Sequence, residues 1–291
     1  MTRTRVTQIF PFLTPLRQWQ KRQEFYLKMK YDGRNYACTK QEQILPYSVY
    51  ELSTNMINPD TGMDIQYQYN KVHNLKIAAK TMNHLIISPG QTFSFWQLAK
   101  YAHLYGTYKD GLALVDGRLV PQKGGGLCQL SNALFASFLH TPLSIVERHP
   151  HLIDDFPSPD PDTPFGTDAT INEGWQDLKA CTRTDATFQV VISFDETYMK
   201  ISMYSDKPFL KNISVYNGKV TYRKKEDRIF QDAEVCSRQI ELMTGTVTHQ
   251  LLYVNHCQIE YPLDPSLHIE GELESGKKQS QSFSEADLQN T

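Results

Sequence analysis

Apolar residues recur at helical spacing in three stretches of the chain and at strand spacing in most of the others. Thr14-Pro15-Leu16-Arg17-Gln18-Trp19 reads as an N-cap with proline at the first helical position, which predicts a helix to about Lys30. Leu16, Trp19, Tyr26 and Leu27 fall near one face, with Arg17, Lys21, Arg22 and Lys28 mostly on the rest. That pattern predicts a helix docked on the body with a solvated basic outer face, a type that can also lie on anionic lipid. Val72, Leu75, Ala79 and Met82 predict a second helix over 70–82. Leu127, Leu130, Leu134 and Phe138 predict a third, fed by Lys123-Gly124-Gly125-Gly126 and ended by His140-Thr141-Pro142.

Strand signals fill much of the rest. Leu85-Ile86-Ile87 stops at Pro89-Gly90, and the aromatic run Phe93 to Leu98 should enter the core. Residues 112–115 and 118–120 around Asp116-Gly117 predict a tight hairpin. Residues 143–149 and Asp168-Ala169-Thr170-Ile171 read as strands on either side of a proline-rich surface loop, 154–167. Segments 177–183, 187–194 and 198–204 look like a meander. Asn217-Gly218 predicts a primed hairpin between 213–216 and 219–223, with further strands at 228–236 and 249–260. The expected fold is α+β, with a mixed or antiparallel sheet, N-terminal helices and a central helix starting near Cys128. Its divisions are an N-terminal helical segment (1–30), an α+β domain (31–205), a β-rich C-terminal part (206–268) and a disordered polar tail (269–291).

Composition narrows the function classes. The 291 residues are 40% hydrophobic with a net charge of −2, which supplies a core but no basic stripe for nucleic acid. Five cysteines, with no Cys-x-x-Cys pair, suggest neither a disulfide framework nor a zinc ribbon. No membrane-spanning run is present, and Ile9 to Leu13, broken by Pro11, is too short for an export segment. The expectation is a cytoplasmic chain that can lie peripherally on a membrane. No cofactor is expected: Lys123 precedes its glycines, so the phosphate-loop order is absent.

The densest chemistry lies around Cys128. It follows a glycine triplet and sits in the first turn of a predicted helix, where the helix N-terminus favours thiolate over thiol. His149 and His151 come next along the chain, then Asp168. Nucleophile, base and acidic orienter in that order match papain-like and transglutaminase-like cysteine enzymes, so a core of that kind is one expectation. In that reading Cys128 attacks a carbonyl, His151 or His149 is the base, and Asp168 fixes the imidazole. Gln129 and the N–H groups around Gly126 and Cys128 then form the oxyanion site. Two other readings stand beside it: Cys128 as a small residue in a tight glycine turn, and Cys128, His149, His151 and Asp168 around zinc, which Pro150 between the histidines disfavours.

Three runs together resemble the signature of the VanW family: Gly124-Gly125-Gly126-Leu127-Cys128-Gln129-Leu130-Ser131, Glu147-Arg148-His149-Pro150-His151, and Gly166-Thr167-Asp168-Ala169-Thr170-Ile171. Asp177-Leu178-Lys179, the run Pro89 to Phe95 and Lys109-Asp110-Gly111 belong to the same pattern, and the resemblance covers about 5 to 265. It implies a setting in bacterial cell-wall remodelling and glycopeptide resistance, where the terminal D-Ala of peptidoglycan precursors is replaced by D-lactate. It supplies no reaction. It shifts the base role toward His151 and makes a cell-wall precursor or peptide the expected partner. Gly124, Gly125, Gly126, Gln129 and Arg148 are the expected substrate-binding residues, with Arg148 suited to gripping a carboxylate or phosphate.

Overall fold

The helix that begins at Cys128 forms the spine of the core. A computed structural model describes residues 11–115, 118–154 and 162–271. Its helices are α1 (Thr14–Tyr31), α2 (Gln66–Met82), the short α3 (Phe95–Ala99) and α4 (Cys128–Leu139). On α4, Leu130, Leu134 and Phe138 are fully buried and Leu127 nearly so, as the spacing predicts. Burying such a side chain is worth about 1.5–3 kcal/mol, so this one face anchors the helix.

The strands in chain order are β1 (Asn35–Tyr36), β2 (Tyr47–Asn55), β3 (Leu85–Ile87), β4 (Gln91–Ser94), the hairpin β5 (Asp110–Val115) and β6 (Arg118–Lys123), β7 (Ser144–Glu147) and β8 (Ile153–Asp154). There follow β9 (Lys179–Cys181), β10 (Phe188–Phe194), β11 (Tyr198–Ser205), β12 (Lys211–Lys225), β13 (Arg228–Glu241), β14 (Val247–Ile259) and β15 (Ile269–Glu270). One mixed sheet runs β1-β4-β9-β7 and an antiparallel one β2-β11-β10-β3, while the long β12-β13-β14 sheet carries β15 and β8 at its edges. Helix α4 packs on β2 and β11 and reaches β7. The architecture is α+β, with mixed and antiparallel sheets.

Several local expectations need correction. The segment 168–171 is not a strand, because its backbone is held by side chains and a loop contact: Ala169 N–H donates to Asn132, Asp168 C=O accepts from Arg148 and Thr170 N–H donates to His149 C=O. The expected meander divides, since β9 joins β4 and β7 whereas β10 and β11 form a hairpin in another sheet. Asn217-Gly218 is a bulge inside the continuous β12, and the chain reverses instead after Lys225, where Glu226 takes a φ of 55°. A Cβ at Gly218 would lie 2.5 Å from a Glu234 carboxylate oxygen, so glycine here serves a close approach. The Asp116-Gly117 turn, residues 155–161 of the 154–167 loop and nearly all of the expected tail lie outside the described residues, while Ile269–Glu270 pair with β12.

Helix α1 docks on a different face from the one its spacing suggests. Met29 is buried, Tyr26 Oη donates to Glu173 at 2.8 Å and Arg22 pairs with the same carboxylate at 2.9 Å. These bonds fix the helix rotation and leave Leu16, Trp19 and Leu27 more than half exposed. Among the described residues no helix is long and apolar enough to cross a membrane.

The glycine triplet is required by packing as much as by chemistry. A Cβ on Gly125 would stand 2.4 Å from the Gly111 carbonyl, and Gly124 and Gly126 have φ of 78° and 90°. Gly125→Ala should therefore cost about 1–3 kcal/mol of stability, as over-packing does, read as a lower urea midpoint with unchanged slope.

Candidate active site

Cys128 is half-buried at the start of α4, on a cleft of about 690 Å³. Gly126, Gln129, His151, Asp168 and Lys71 line the same cleft. His151 is within hydrogen-bond reach of the Cys128 sulfur, and its Nδ1 lies 2.6 Å from Asp168 Oδ2. The same carboxylate oxygen accepts the His151 backbone N–H at 2.6 Å. Cys128, His151 and Asp168 thus form one connected chain, each from a different segment.

Two sets of contacts hold Asp168 in line with α4. Ser131 Oγ donates to Ala169 C=O at 2.6 Å, and Asn132 Oδ1 accepts from Ala169 N–H at 2.8 Å, which bolts the segment to the helix carrying the sulfur. From the other side Arg148 donates to Asp168 C=O, Asp168 Oδ1, Gly166 C=O and Asn255 Oδ1 at 2.7–3.0 Å. Its guanidinium lies between the rings of Phe135 and Tyr253, about 5 Å from each centroid. Arg148 Nε and Nη2 are therefore committed to this shell, and the residue clamps Asp168 in place.

The other expected site residues divide. His149 turns to Glu147 (3.1 Å), which also pairs with Lys179 at 2.8 Å, so the two histidines serve separate clusters and the four-residue zinc grouping does not converge. Among the described residues no group of three or more His, Cys, Asp or Glu is arranged to hold a metal ion. Gln129 donates from Nε2 to Asn55 C=O (2.6 Å) and Thr54 Oγ1 (3.4 Å), which commits its amide to β2. Of the glycine triplet only Gly126 lines the cleft; Gly124 lies against Tyr108 and Gly125 against Gly111. Nothing among the described residues accepts from the N–H groups of Gly126, Leu127 and Cys128, the open donors of the first turn.

Lys71 was not singled out from the sequence, where it reads as a polar position on an amphipathic helix. Its stem lies where a Gly126 Cβ would fall, 2.2 Å from Lys71 Cγ, and burial pushes its ammonium down to about 8. No carboxylate among the described residues pairs with it. Asn74, one turn along α2, is fully buried and ties Lys109 and Gly125 together: its amide donates to both carbonyls and accepts from Lys109 N–H, three bonds at 2.8–3.0 Å. The Asp177 of the signature is architectural: it accepts from Ser94 Oγ and Trp96 N–H, and burial lifts its carboxyl to about 6.

Electrostatics follow the geometry. Burial works against a charge on His151, but the Asp168 bond and the Cys128 sulfur outweigh it and push the imidazole up to about 10. Burial works against the Asp168 charge too, but the bonds and charge of His151, with the Arg148 guanidinium, hold its carboxyl below the usual carboxylate range.

These features define a cysteine–histidine–aspartate site on a helix start, and the chain that carries it belongs to the VanW family. The profile described as "VanW like protein" matches residues 70–204. Over 271 residues, 93% of this chain and 98% of the relative, it is 45% identical to the "Vancomycin B-type resistance protein VanW" of Enterococcus faecalis (strain ATCC 700802 / V583). It is also 28% identical over 161 residues, 54% of this chain and 52% of the relative, to the "Uncharacterized protein YoaR" of Bacillus subtilis (strain 168). No solved structure matches.

Because the folded imidazole holds its proton to about pH 10 and an unfolded one releases it near ~6.5, this contact stabilises fully below the lower value. It is lost as pH rises through the upper one. Histidine NMR titration should find His151 still protonated at pH 8, and Asp168→Asn should bring its midpoint down.

Proposed function

We propose that the chain is a cysteine-dependent enzyme of acyl transfer or hydrolysis, acting on an amide or ester of a cell-wall peptide or precursor. The observation that carries the reading is the connected Cys128–His151–Asp168 chain on an open cleft. The sulfur adds to the substrate carbonyl carbon, and the carbonyl oxygen takes up charge facing the open N–H groups of the first α4 turn. The C–N or C–O bond then breaks, with the His151 proton passing to the leaving amine or alcohol. A water or an acceptor amine, deprotonated by His151, releases the acyl group from sulfur. Asp168 keeps the imidazole oriented throughout, and Arg148 keeps Asp168 in place. The order of the three residues along the chain is that of papain-like and transglutaminase-like enzymes, which supports the chemistry.

The E. faecalis relative is named for vancomycin B-type resistance, and we carry that setting to this chain: an accessory role in glycopeptide resistance, on precursors made at the inner side of the membrane. The exposed Leu16, Trp19 and Leu27 on a helix rich in lysine and arginine support a peripheral membrane position. Vesicle flotation should recover the protein with anionic but not zwitterionic lipid, and Leu16→Ser with Trp19→Ser should release it; equal recovery of the doubly substituted protein sinks this placement.

A second reading, a non-catalytic module that holds a precursor carboxylate or phosphate, is favoured by the unpaired Lys71 in the same cleft. Incubation with precursor peptides ending in D-Ala or D-lactate, followed by mass spectrometry, separates the two. The enzyme reading expects a mass change that Cys128→Ser abolishes while peptide binding survives. Full turnover by Cys128→Ser overturns it.

A further inference from the structure

Strand β2 lines the cleft beside α4, and among the described residues it is an edge strand whose only strand partner is β11. Which of its backbone groups face outward follows from the register. Met56 N–H donates to Thr197 C=O at 3.0 Å, immediately beyond the paired residues Asn55 and Tyr198. In an antiparallel ladder bonded and non-bonded pairs alternate. Thr54, Leu52 and Tyr50 therefore bond to β11, while Asn55, Ser53 and Glu51 turn their N–H and C=O groups to the free edge. The Gln129 amide checks this phase independently, since its contact with the β2 backbone is to Asn55 C=O. Among the described residues nothing pairs with the outward groups of Ser53 and Glu51.

That edge leads to the reacting sulfur. Gln129, the residue after Cys128, is bonded to its end, and Ser53 and Asn55 border the cleft together with Cys128 and His151. On the same strand Tyr50 and Leu52 supply apolar wall. Cleft-lining positions along α4 and its C-cap run from Cys128 to His140, roughly 18 Å at ~1.5 Å per residue. An extended chain of about five or six residues spans that distance.

We infer that the ligand of this cleft is a peptide in extended conformation that adds as a strand to the outer edge of β2, pairing with Ser53 and Glu51 and delivering a carbonyl to Cys128. This rests on the cysteine-enzyme reading and names its substrate class: a linear peptide segment, recognised first through its backbone. Free backbone donors and acceptors bind any such chain and leave selection to the side-chain walls.

The probe is N-acetyl-tetra-alanine chloromethyl ketone, whose chloride the Cys128 sulfur displaces, run against chloroacetone as the reagent without a peptide. A set of the same probe N-methylated at one residue at a time completes the experiment. Cys128 labelling, followed by mass spectrometry of the full chain, should be at least tenfold faster with the peptide. N-methylation should remove about tenfold at every second residue and little between, because only alternate N–H groups of a paired strand face its neighbour. Ser53→Pro, which deletes one outward N–H without touching a ladder bond, should slow peptide labelling in the same way. No gain from the peptide, or a profile without two-residue periodicity, overturns the inference. The cysteine-enzyme reading fails separately, if His151→Ala leaves the chloroacetone rate at Cys128 unchanged.

Discussion

The arrangement of this site depends on the guanidinium of Arg148. It sits at about one-eighth exposure between two aromatic rings and donates to four oxygens drawn from two distant stretches of chain. A buried charge is tolerable only when its donors are satisfied and an opposite charge is near, and Asp168 supplies both a carboxylate and a carbonyl. The consequence is positional. One oxygen of Asp168 is taken by arginine, so the other is left to receive His151 through both its ring and its backbone N–H. An aspartate held in this way has little freedom to rotate, and the imidazole inherits that order.

The sulfur is placed by a different set of forces. Buried apolar contacts fix α4 along its length, and the turn before it is squeezed between Gly111, Tyr108 and Lys71 so closely that side chains are excluded. Buried Asn74 ties the turn to the β5 strand's entrance. Ser131 and Asn132, on the next turn of α4, then join the helix to the Asp168 segment. Two stiff units, one made by packing and one by charge, meet where Cys128 and His151 touch.

Much of this was legible in the chain, for physical reasons. Periodicity reported α2, α4 and β11 because each buries one clear face, while β3 and β10 showed as short apolar runs because they are buried through most of their length. Cys128, His151 and Asp168 stood out because a thiol on a helix start, an imidazole and a carboxylate are a small vocabulary in a fixed order. Arg148 was legible as important but not in its role, since a charged side chain looks the same in sequence whether it meets a ligand or a neighbour's carbonyls. Lys71 was hidden by its helix, where polar positions are expected to face water. Segment 168–171 looked like a strand because β-branched and small residues do not announce that side chains will satisfy their backbone. The Asn217-Gly218 pair has the composition of a hairpin, and only long-range pairing with β13 makes it a bulge.

Asn255 lies on β14, more than fifty residues beyond the stretch that the family profile matches. It is one of the acceptors that complete the arginine shell, and Cys257 from the same strand lines the cleft. The long C-terminal sheet is therefore not an appendage to a self-sufficient site. The few residues that reach back to the arginine make the inner end of that sheet part of what holds Asp168 in place.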